Sequence, residues 1–460
     1  MFRLPCVMLI FFFMITPTVK VASALEKPNI LFILIDDLGW MDLEFQGNQL
    51  VDTPALNRFA KQGIRFTDAY AAAPVCSPTR AAIMTGLFPA RLKITNHIPD
   101  QPRFIPDEPK VLPADMLNYL PSERITVAEL LKNAGYSTAF LGKWHLSGTG
   151  RGEAKWEPTA QGFDLNIGGC AYGGPPTFFD PYRIPNLPDR QQGEYLPDRL
   201  ADEAINYMKK ADGKPFFLCL WNYTVHWPME APEELLKKYK GREGDGLNDT
   251  RYGAMIEAMD RSMGRILEFL EDTGLSENTL VVFTSDNGGF GGVADNRPLR
   301  AEKGYLYEGG IRVPLVVRWP GVVSPETIES TPVISTDFFP TLLEAASVKV
   351  PETYEGDGVS LLPLLKMEED NFSRDSIFFH YPNYAFHRSN RLGSAVRRGD
   401  HKLIEWLDDG SVELYNLAED LQESRDLSDE KPLLAEQMLK QLHEWRLKVD
   451  AEMPKAVSAN

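Results

Sequence analysis

Pro28-Asn29-Ile30-Leu31-Phe32-Ile33-Leu34-Ile35-Asp36-Asp37-Leu38-Gly39 runs a block of β-prone apolar residues straight into two acids and a glycine. An apolar run without alternation suits a strand covered on both faces, as in a parallel sheet. Neighbouring strand residues point to opposite faces, so Asp36 and Asp37 can act on one point only where the strand breaks, and Gly39 supplies the break. The pattern recurs at Thr279-Leu280-Val281-Val282-Phe283-Thr284-Ser285-Asp286-Asn287-Gly288-Gly289.

Outward from these stretches, residues 126–135 read as a capped amphipathic helix stopped by Gly135, and residues 137–141 as a short strand. Residues 252–270 have helical spacing. Strands alternating with helices predict an α/β fold with a large, mostly parallel sheet. Residues 147–200, rich in Gly, Pro and aromatics, read as long surface loops that shape a cleft. After about residue 370 the pattern changes. Residues 394–397, 401–406 and 412–415 are short strands separated by Gly399-Asp400 and Asp408-Asp409-Gly410 turns, and residues 432–448 form a helix. The expected organisation is a catalytic α/β domain over 25–370 and a smaller α+β subdomain, an antiparallel sheet with a helix, over 371–460.

The chain has 460 residues and a formal charge of −17, with 43% hydrophobic and 25% charged residues. That composition is ordinary for a globular protein and excludes disordered and disulfide-scaffold classes. Nucleic-acid binding is not expected without a basic footprint. Arg3 precedes the apolar run Leu9-Ile10-Phe11-Phe12-Phe13-Met14-Ile15, which is too short to span a bilayer, and Ala22-Ser23-Ala24 is a small-x-small cleavage pattern. Residues 1–24 therefore read as a signal peptide, and Pro17 argues against an uncleaved anchor. The expectation is export to the periplasm or beyond, with no membrane attachment after cleavage. Cys6 leaves with this segment. Cys76, Cys170 and Cys219 remain, an odd number in an oxidising compartment, so at least one is unpaired or altered.

Four stretches carry chemistry, and in an open α/β sheet the carboxyl ends of strands are where ligands gather. Asp36, Asp37, Asp286 and Asn287 are hard oxygen donors suited to Ca²⁺ or Mg²⁺; singly each pair is a turn signal, together they favour a metal. Cys76-Ser77-Pro78-Thr79-Arg80, followed by Thr85-Gly86, places a thiol near a helix start with an arginine four residues on. On physics alone that is either a low-pKa nucleophile or a buried helix-start cysteine. The cationic group comprises Lys143 and His145 at a strand end, His226 before a proline, and Arg300 and Lys303 ahead of Glu308-Gly309-Gly310-Ile311-Arg312-Val313-Pro314.

In this order, Asp-Asp, Cys-x-Pro-x-Arg, Gly-Lys-x-His, His before Pro, Asp-Asn-Gly-Gly and Lys…Glu-Gly-Gly-x-Arg-x-Pro, the chain resembles the sulfatases of the alkaline phosphatase superfamily, from about residue 28 to about 450. The resemblance implies an alkaline-phosphatase-like sheet and hydrolysis of a sulfate ester. It implies that Cys76 is oxidised to Cα-formylglycine by a formylglycine-generating or anaerobic maturation enzyme acting on residues 76–80. Thr79 stands where serine is commonest, with the other signature positions intact. One Ca²⁺ would be held by Asp36, Asp37, Asp286, Asn287 and the modified Cys76. Arg80, Lys143 and His145 would position the hydrated aldehyde that attacks sulfur, and His226 and Lys303 would contact the sulfate and assist the leaving alcohol.

For the substrate, the polar and aromatic residues His97, Tyr172, His380, Tyr381, Asn383 and His387 suit a sugar, so a carbohydrate sulfate is expected, as in N-acetylgalactosamine-sulfatase-like members. The alternatives are an aryl sulfatase, a phosphonate or phosphate-ester hydrolase of the same superfamily, and an unmodified protein that only binds sulfated glycans. An acidic protein acting on an anion further predicts a locally basic cleft, since screening confines long-range repulsion to about 8 Å at physiological salt.

Overall fold

The computed structural model describes residues 27–100, 102–211, 213–385 and 389–457; the segment read as a signal peptide and His387 lie outside them. β1 (Asn29–Ile35) is buried along all but its first residue, because its odd and even side chains enter two different cores. It is one of eight strands with β2 (Ile64–Phe66), β3 (Ser137–Gly142), β4 (Leu165–Ile167), β5 (Phe216–Trp221), β6 (Thr279–Ser285), β7 (Leu315–Arg318) and β8 (Thr327–Glu329). Their order across the sheet is β8-β2-β7-β6-β1-β5-β3-β4. Only β7 runs antiparallel, against both β2 and β6. The sheet is therefore mixed and mostly parallel, as expected.

Leu31, Ile33 and Ile35 pack toward a layer containing α1 (Pro54–Lys61), α4 (Leu196–Lys209), α5 (Glu233–Tyr239) and α6 (Thr250–Asp272). Ile30, Phe32 and Leu34 pack toward α2 (Cys76–Thr85), α3 (Val127–Asn133) and α7 (Phe338–Ala345). A capping box at Thr126 and Glu129 starts α3. All ten residues of α2 are buried. It is wedged between the sheet and the C-terminal layer, where Ala82 joins a third core.

That third core is built on the antiparallel meander β9 (Ser376–Tyr381), β10 (Gly393–Arg398), β11 (His401–Trp406) and β12 (Val412–Asn416). Helix α8 (Pro432–Lys448) lays Met438, Leu442 and Trp445 into it, with Trp445 stacked on Phe378 at 4.9 Å. A buried ionic network joins this layer to the main sheet: Lys402 Nζ lies 2.9 Å from both Glu308 and Glu423, and Glu308 also accepts from Tyr70 and Arg312. Among the described residues, no helix is long and apolar enough to cross a membrane.

Two expectations are corrected. Residues 147–200 are not simply surface loops: they contain β4, begin α4, and bury Cys170, Phe178 and Tyr182 against the sheet. His380 and Tyr381 lie on β9 rather than in a loop. The His380 ring bridges Ser394 Oγ at 2.7 Å and the Glu452 carbonyl at 2.8 Å. With both nitrogens engaged inside the C-terminal layer, His380 has no atom left for a substrate.

Candidate active site

Because β6, β1, β5 and β3 are adjacent and parallel, the residues that follow them leave the same edge of the sheet. Asp36 follows β1, Asp286 follows β6, Lys143 follows β3, and the loop to His226 follows β5. Backbone bonds stitch these exits together: Asp36 N–H donates to Thr224 O, Val225 N–H to Asp36 O, and Asp286 N–H to Ile35 O. Asp37 takes a left-handed conformation (φ 65°), which breaks the strand alternation. One oxygen each of Asp36, Asp37 and Asp286 lies within 4.8 Å of the others, and all three residues are buried.

Asn287 tests whether a cation fits. Its Nδ2 donates to Asp37 Oδ1 and to the Gly288 carbonyl, both at 2.9 Å, while its buried Oδ1 accepts no hydrogen bond. Three carboxylates and an amide oxygen without a donor form an all-oxygen set, which fits a hard divalent cation such as Ca²⁺ or Mg²⁺ and not Zn²⁺.

The cations interleave with these acids. Lys143 Nζ sits 2.7–2.8 Å from both oxygens of Asp36, and Lys303 Nζ 2.5 Å from Asp37. Arg80 grips Asp286 through Nε and Nη2 and the Lys143 carbonyl through Nη1, so it orients its neighbours without touching Cys76 by a hydrogen bond. Burial pushes Asp36 well above the usual carboxylate range against the pull of Lys143, and the nearby Asp286 and Asp37 add to the rise. For Asp37, Lys303 and His226 outweigh burial and hold the group low.

Cys76 opens α2 with its Sγ 3.2 Å from His145 Nδ1. His145 Nε2 bonds the Ile98 carbonyl, which can only accept; Nε2 therefore carries the proton and Nδ1 presents a lone pair to Cys76. Burial and Lys143 push His145 well below its ordinary value, so it is neutral. Burial also pushes the Cys76 thiol up. The thiol is not a low-pKa nucleophile, and the helix start does not rescue it.

Residues 28–348 match the family model described as Sulfatase, and residues 301–450 that described as N-sulphoglucosamine sulphohydrolase, C-terminal. The chain belongs to the sulfatase family. It is 32% identical to a sulfatase of Formosa agariphila over 93% of this chain and 90% of that one. It is also 32% identical to the N-acetylgalactosamine-6-sulfatase of Mus musculus, covering 84% and 73% respectively. Among solved structures it superposes on Ps i-CgsB in complex with k-i-k-neocarrahexaose with a TM-score of 0.78, at 30% identity over 91% and 93% of the two chains. A phosphonate monoester hydrolase of Agrobacterium radiobacter, at 18% identity and TM-score 0.70, shares the fold. The enzyme is a sulfuric ester hydrolase.

In this sulfatase His226 is the most exposed of the site's charged and titratable groups. Its side chain is 24% exposed where Cys76, Asp286 and Lys143 are buried, and its Nε2 lies 3.8 Å from Asp37. Nδ1 donates to the Trp227 carbonyl, leaving the Nε2 lone pair toward the site. Burial pushes His226 down to about 3, with Lys303 and Lys143 acting in the same direction against Asp37. His97 packs on Phe104 and bonds Asn96; burial, Lys303 and Lys143 push it down to about 3, which places it in reach of the site's charges. Tyr172 is half-buried in the loop that crosses the histidines. Asn383 is held by Thr95 and the Ala114 carbonyl, and Tyr381 by Asn96.

Several working residues escaped the sequence reading. A Cβ at Gly173 would meet the His145 ring at 2.8 Å, and one at Gly174 would meet His226 Nδ1 at 2.6 Å, so both glycines let the backbone close over the site. Ser77 accepts from Ile98 N–H and donates to the His145 carbonyl, fixing that histidine from behind. Tyr252 donates to the Asp37 carbonyl and bonds Asp42. Thr79, the departure from serine, uses its hydroxyl to bond both Ala73 N–H and O, tying the loop before Cys76 to the helix. A 720 Å³ cavity beside Glu44, Arg65 and Ile328 contains none of these residues.

Proposed function

We propose that this protein is an exported carbohydrate sulfatase that works through a formylglycine made from Cys76 and one bound Ca²⁺. The observation that carries the reading is the contact of Cys76 with the His145 Nδ1 lone pair beside a buried three-aspartate cluster. The carbohydrate class is supported by the named relatives, which include an N-acetylgalactosamine-6-sulfatase, an ulvan-active sulfatase at 29% identity and a structure solved with neocarrahexaose. Export rests on the signal-like residues 1–24, and conversion of Cys76 requires a maturation enzyme recognising residues 76–80.

Asp36, Asp37, Asp286 and Asn287 would hold the Ca²⁺, which supplies Lewis-acid stabilisation of sulfate oxygens. The modified residue would supply a geminal diol, with one hydroxyl to take the sulfuryl group and the second to let it depart as sulfate. Everything else is done by this chain's side chains. His145 Nδ1 accepts a proton from the group on the Cys76 Cβ, and the Nε2 bond to Ile98 keeps the ring in that tautomer. Lys143 and Lys303 stand where charge develops on nonbridging oxygens. His226 turns a bare Nε2 toward the site and contacts the substrate as an acceptor, whereas Lys303, kept charged by Asp37 against burial, is the group that holds a proton for the leaving alcohol. Arg80 holds Asp286 and the Lys143 backbone rigid. Arg80, Lys143 and Lys303 match Asp36, Asp37 and Asp286 in number, so a divalent cation would add the positive charge that favours an anionic substrate.

The test is sulfate release from sulfated mono-, oligo- and polysaccharides beside an aryl sulfate and an aryl phosphate, using protein whose Cys76 is shown by mass spectrometry to be aldehyde. Release from a glycan that chelation and Cys76→Ala both abolish is the expected result. Phosphate release without sulfate release overturns it in favour of the phosphohydrolase, and an unconverted Cys76 in the producing cell leaves a glycan-binding protein.

A further inference from the structure

Trp227 is the one exposed aromatic residue among the described residues, with 43% of its surface open; every other described Trp, Tyr and Phe is buried or half-buried. Aliphatic residues such as Ile328, Leu433 and Leu447 are also exposed, so exposure alone does not single Trp227 out; its flat indole and its position do. Trp227 follows His226, at the solvent side of the sulfatase centre, and its carbonyl accepts a hydrogen bond from His226 Nδ1–H. The Arg251 guanidinium lies 5.7 Å from the indole centroid, and the next residue, Tyr252, donates to the Asp37 carbonyl. Both members of the pair are thus chain neighbours of residues set directly against Asp37, one from the loop after β5 and one from the first turn of α6. The two elements pack into the same core, which holds the pair beside the exposed edge of the site.

Arg251 is oriented as well as near. Asp249, the N-cap of α6, holds its Nε and Nη2, while Nη1 has no partner among the described residues and the side chain is 49% exposed. Carbohydrate rings present an apolar C–H face that packs on an indole, and a fixed guanidinium recognises sulfate or carboxylate. We propose that Trp227 and Arg251 form a carbohydrate subsite at the mouth of the centre: Trp227 stacks on the sugar adjoining the esterified one, and Arg251 Nη1 binds an anionic substituent on that sugar. The inference rests on the carbohydrate-sulfate reading and extends it, because such a subsite selects a polyanionic oligosaccharide over a monosaccharide sulfate.

The experiment separates the two. Binding is measured by calorimetry, with Ca²⁺ present, on Cys76→Ala protein, using sulfated galactan and glycosaminoglycan oligosaccharides of two, four and six sugars and an aryl sulfate. The expected result is that affinity rises with length in at least one series. Adding Trp227→Ala weakens the longer oligosaccharides at least about ten-fold and flattens the length dependence, and Trp227→Phe recovers most of the loss. Arg251→Gln weakens sulfated more than desulfated oligosaccharides. No oligosaccharide binding by the parent, unaltered binding in Trp227→Ala, or an equal fractional loss across all probes including the aryl sulfate overturns the subsite; the last result makes Trp227 a support for His226. Sulfate release by the aldehyde-bearing wild type is followed in parallel, and its failure removes the enzymatic reading whatever the binding data show.

Discussion

His145 is held in one tautomer by a single backbone carbonyl, and that fact decides which of its nitrogens can act. Replacing it with alanine is expected to lower kcat by about 10²–10⁴, the usual range for losing a positioned base, with little change in KM because Lys143, Lys303 and Arg80 are left in place. Steady-state kinetics on aldehyde-bearing protein checks this, and a loss confined to KM would assign His145 to binding instead. Asn287 gives a second prediction at the same scale. Asn287→Leu removes the oxygen that takes no hydrogen bond, and the expected result is a fall in Ca²⁺ affinity of at least about ten-fold, read by calorimetric titration of the chelated protein. The change also removes a donor to Asp37, so Asn287→Asp, which keeps the oxygen, is the control that should retain the metal.

The loop after β6 and the short helix Glu308–Ile311 meet backbone to backbone. A Cβ at Gly288 would fall 1.9 Å from the Gly309 carbonyl. Gly288→Ala must therefore push apart the segment bearing Asp286 and Asn287 and the segment bearing Lys303, at an expected cost of about 3 kcal/mol or more, measured by denaturant unfolding. At the other face of the sheet, Asp260 on α6 accepts the N–H groups of Ala55 and Leu56 and so caps α1. Burial pushes this carboxyl from 3.8 up to about 6. Between those values the native chain keeps a proton that the unfolded chain releases, so the contribution is full below about pH 4 and fades as pH rises through about 6. Asp260→Asn is expected to shrink the stability difference between pH 5 and pH 7.5 by about 1 kcal/mol. The elements that bear the chemistry were legible because β1, β5 and β6 are covered on both faces and therefore read as unbroken apolar runs ending in polar residues. Helix α2 had no periodicity to read, being buried all round. Strand β9 was obscured by a polar residue, His380, whose partners come from β10 and residue 452 and leave no local trace. The close approaches that require Gly173, Gly174, Gly288 and Gly309 are likewise contacts between segments distant in sequence.

The two sheets are coupled through charges sealed from water. Burial pushes Glu423 up to about 7 against the pull of Lys402, while Lys402, Arg312 and Arg397 outweigh burial and hold Glu308 low. Because Glu423 also accepts the Glu308 N–H, the C-terminal layer grips the start of the helix whose glycines seat the Lys303 loop. Lys402→Met leaves two buried carboxylates facing each other, for an expected loss of about 3–5 kcal/mol in urea unfolding, partly restored by adding Glu423→Gln. The complete enclosure of α2 sets an order of events as well as a geometry. Cys76 is 2% exposed, and Ser77, Thr79 and Arg80 are wholly covered by the sheet on one side and the C-terminal layer on the other. Any enzyme that reads residues 76–80 must reach them while the chain is still extended. If Cys76 is converted as proposed, maturation and folding compete for the same segment, and a copy that folds with its thiol intact is expected to stay unconverted until it is unfolded again.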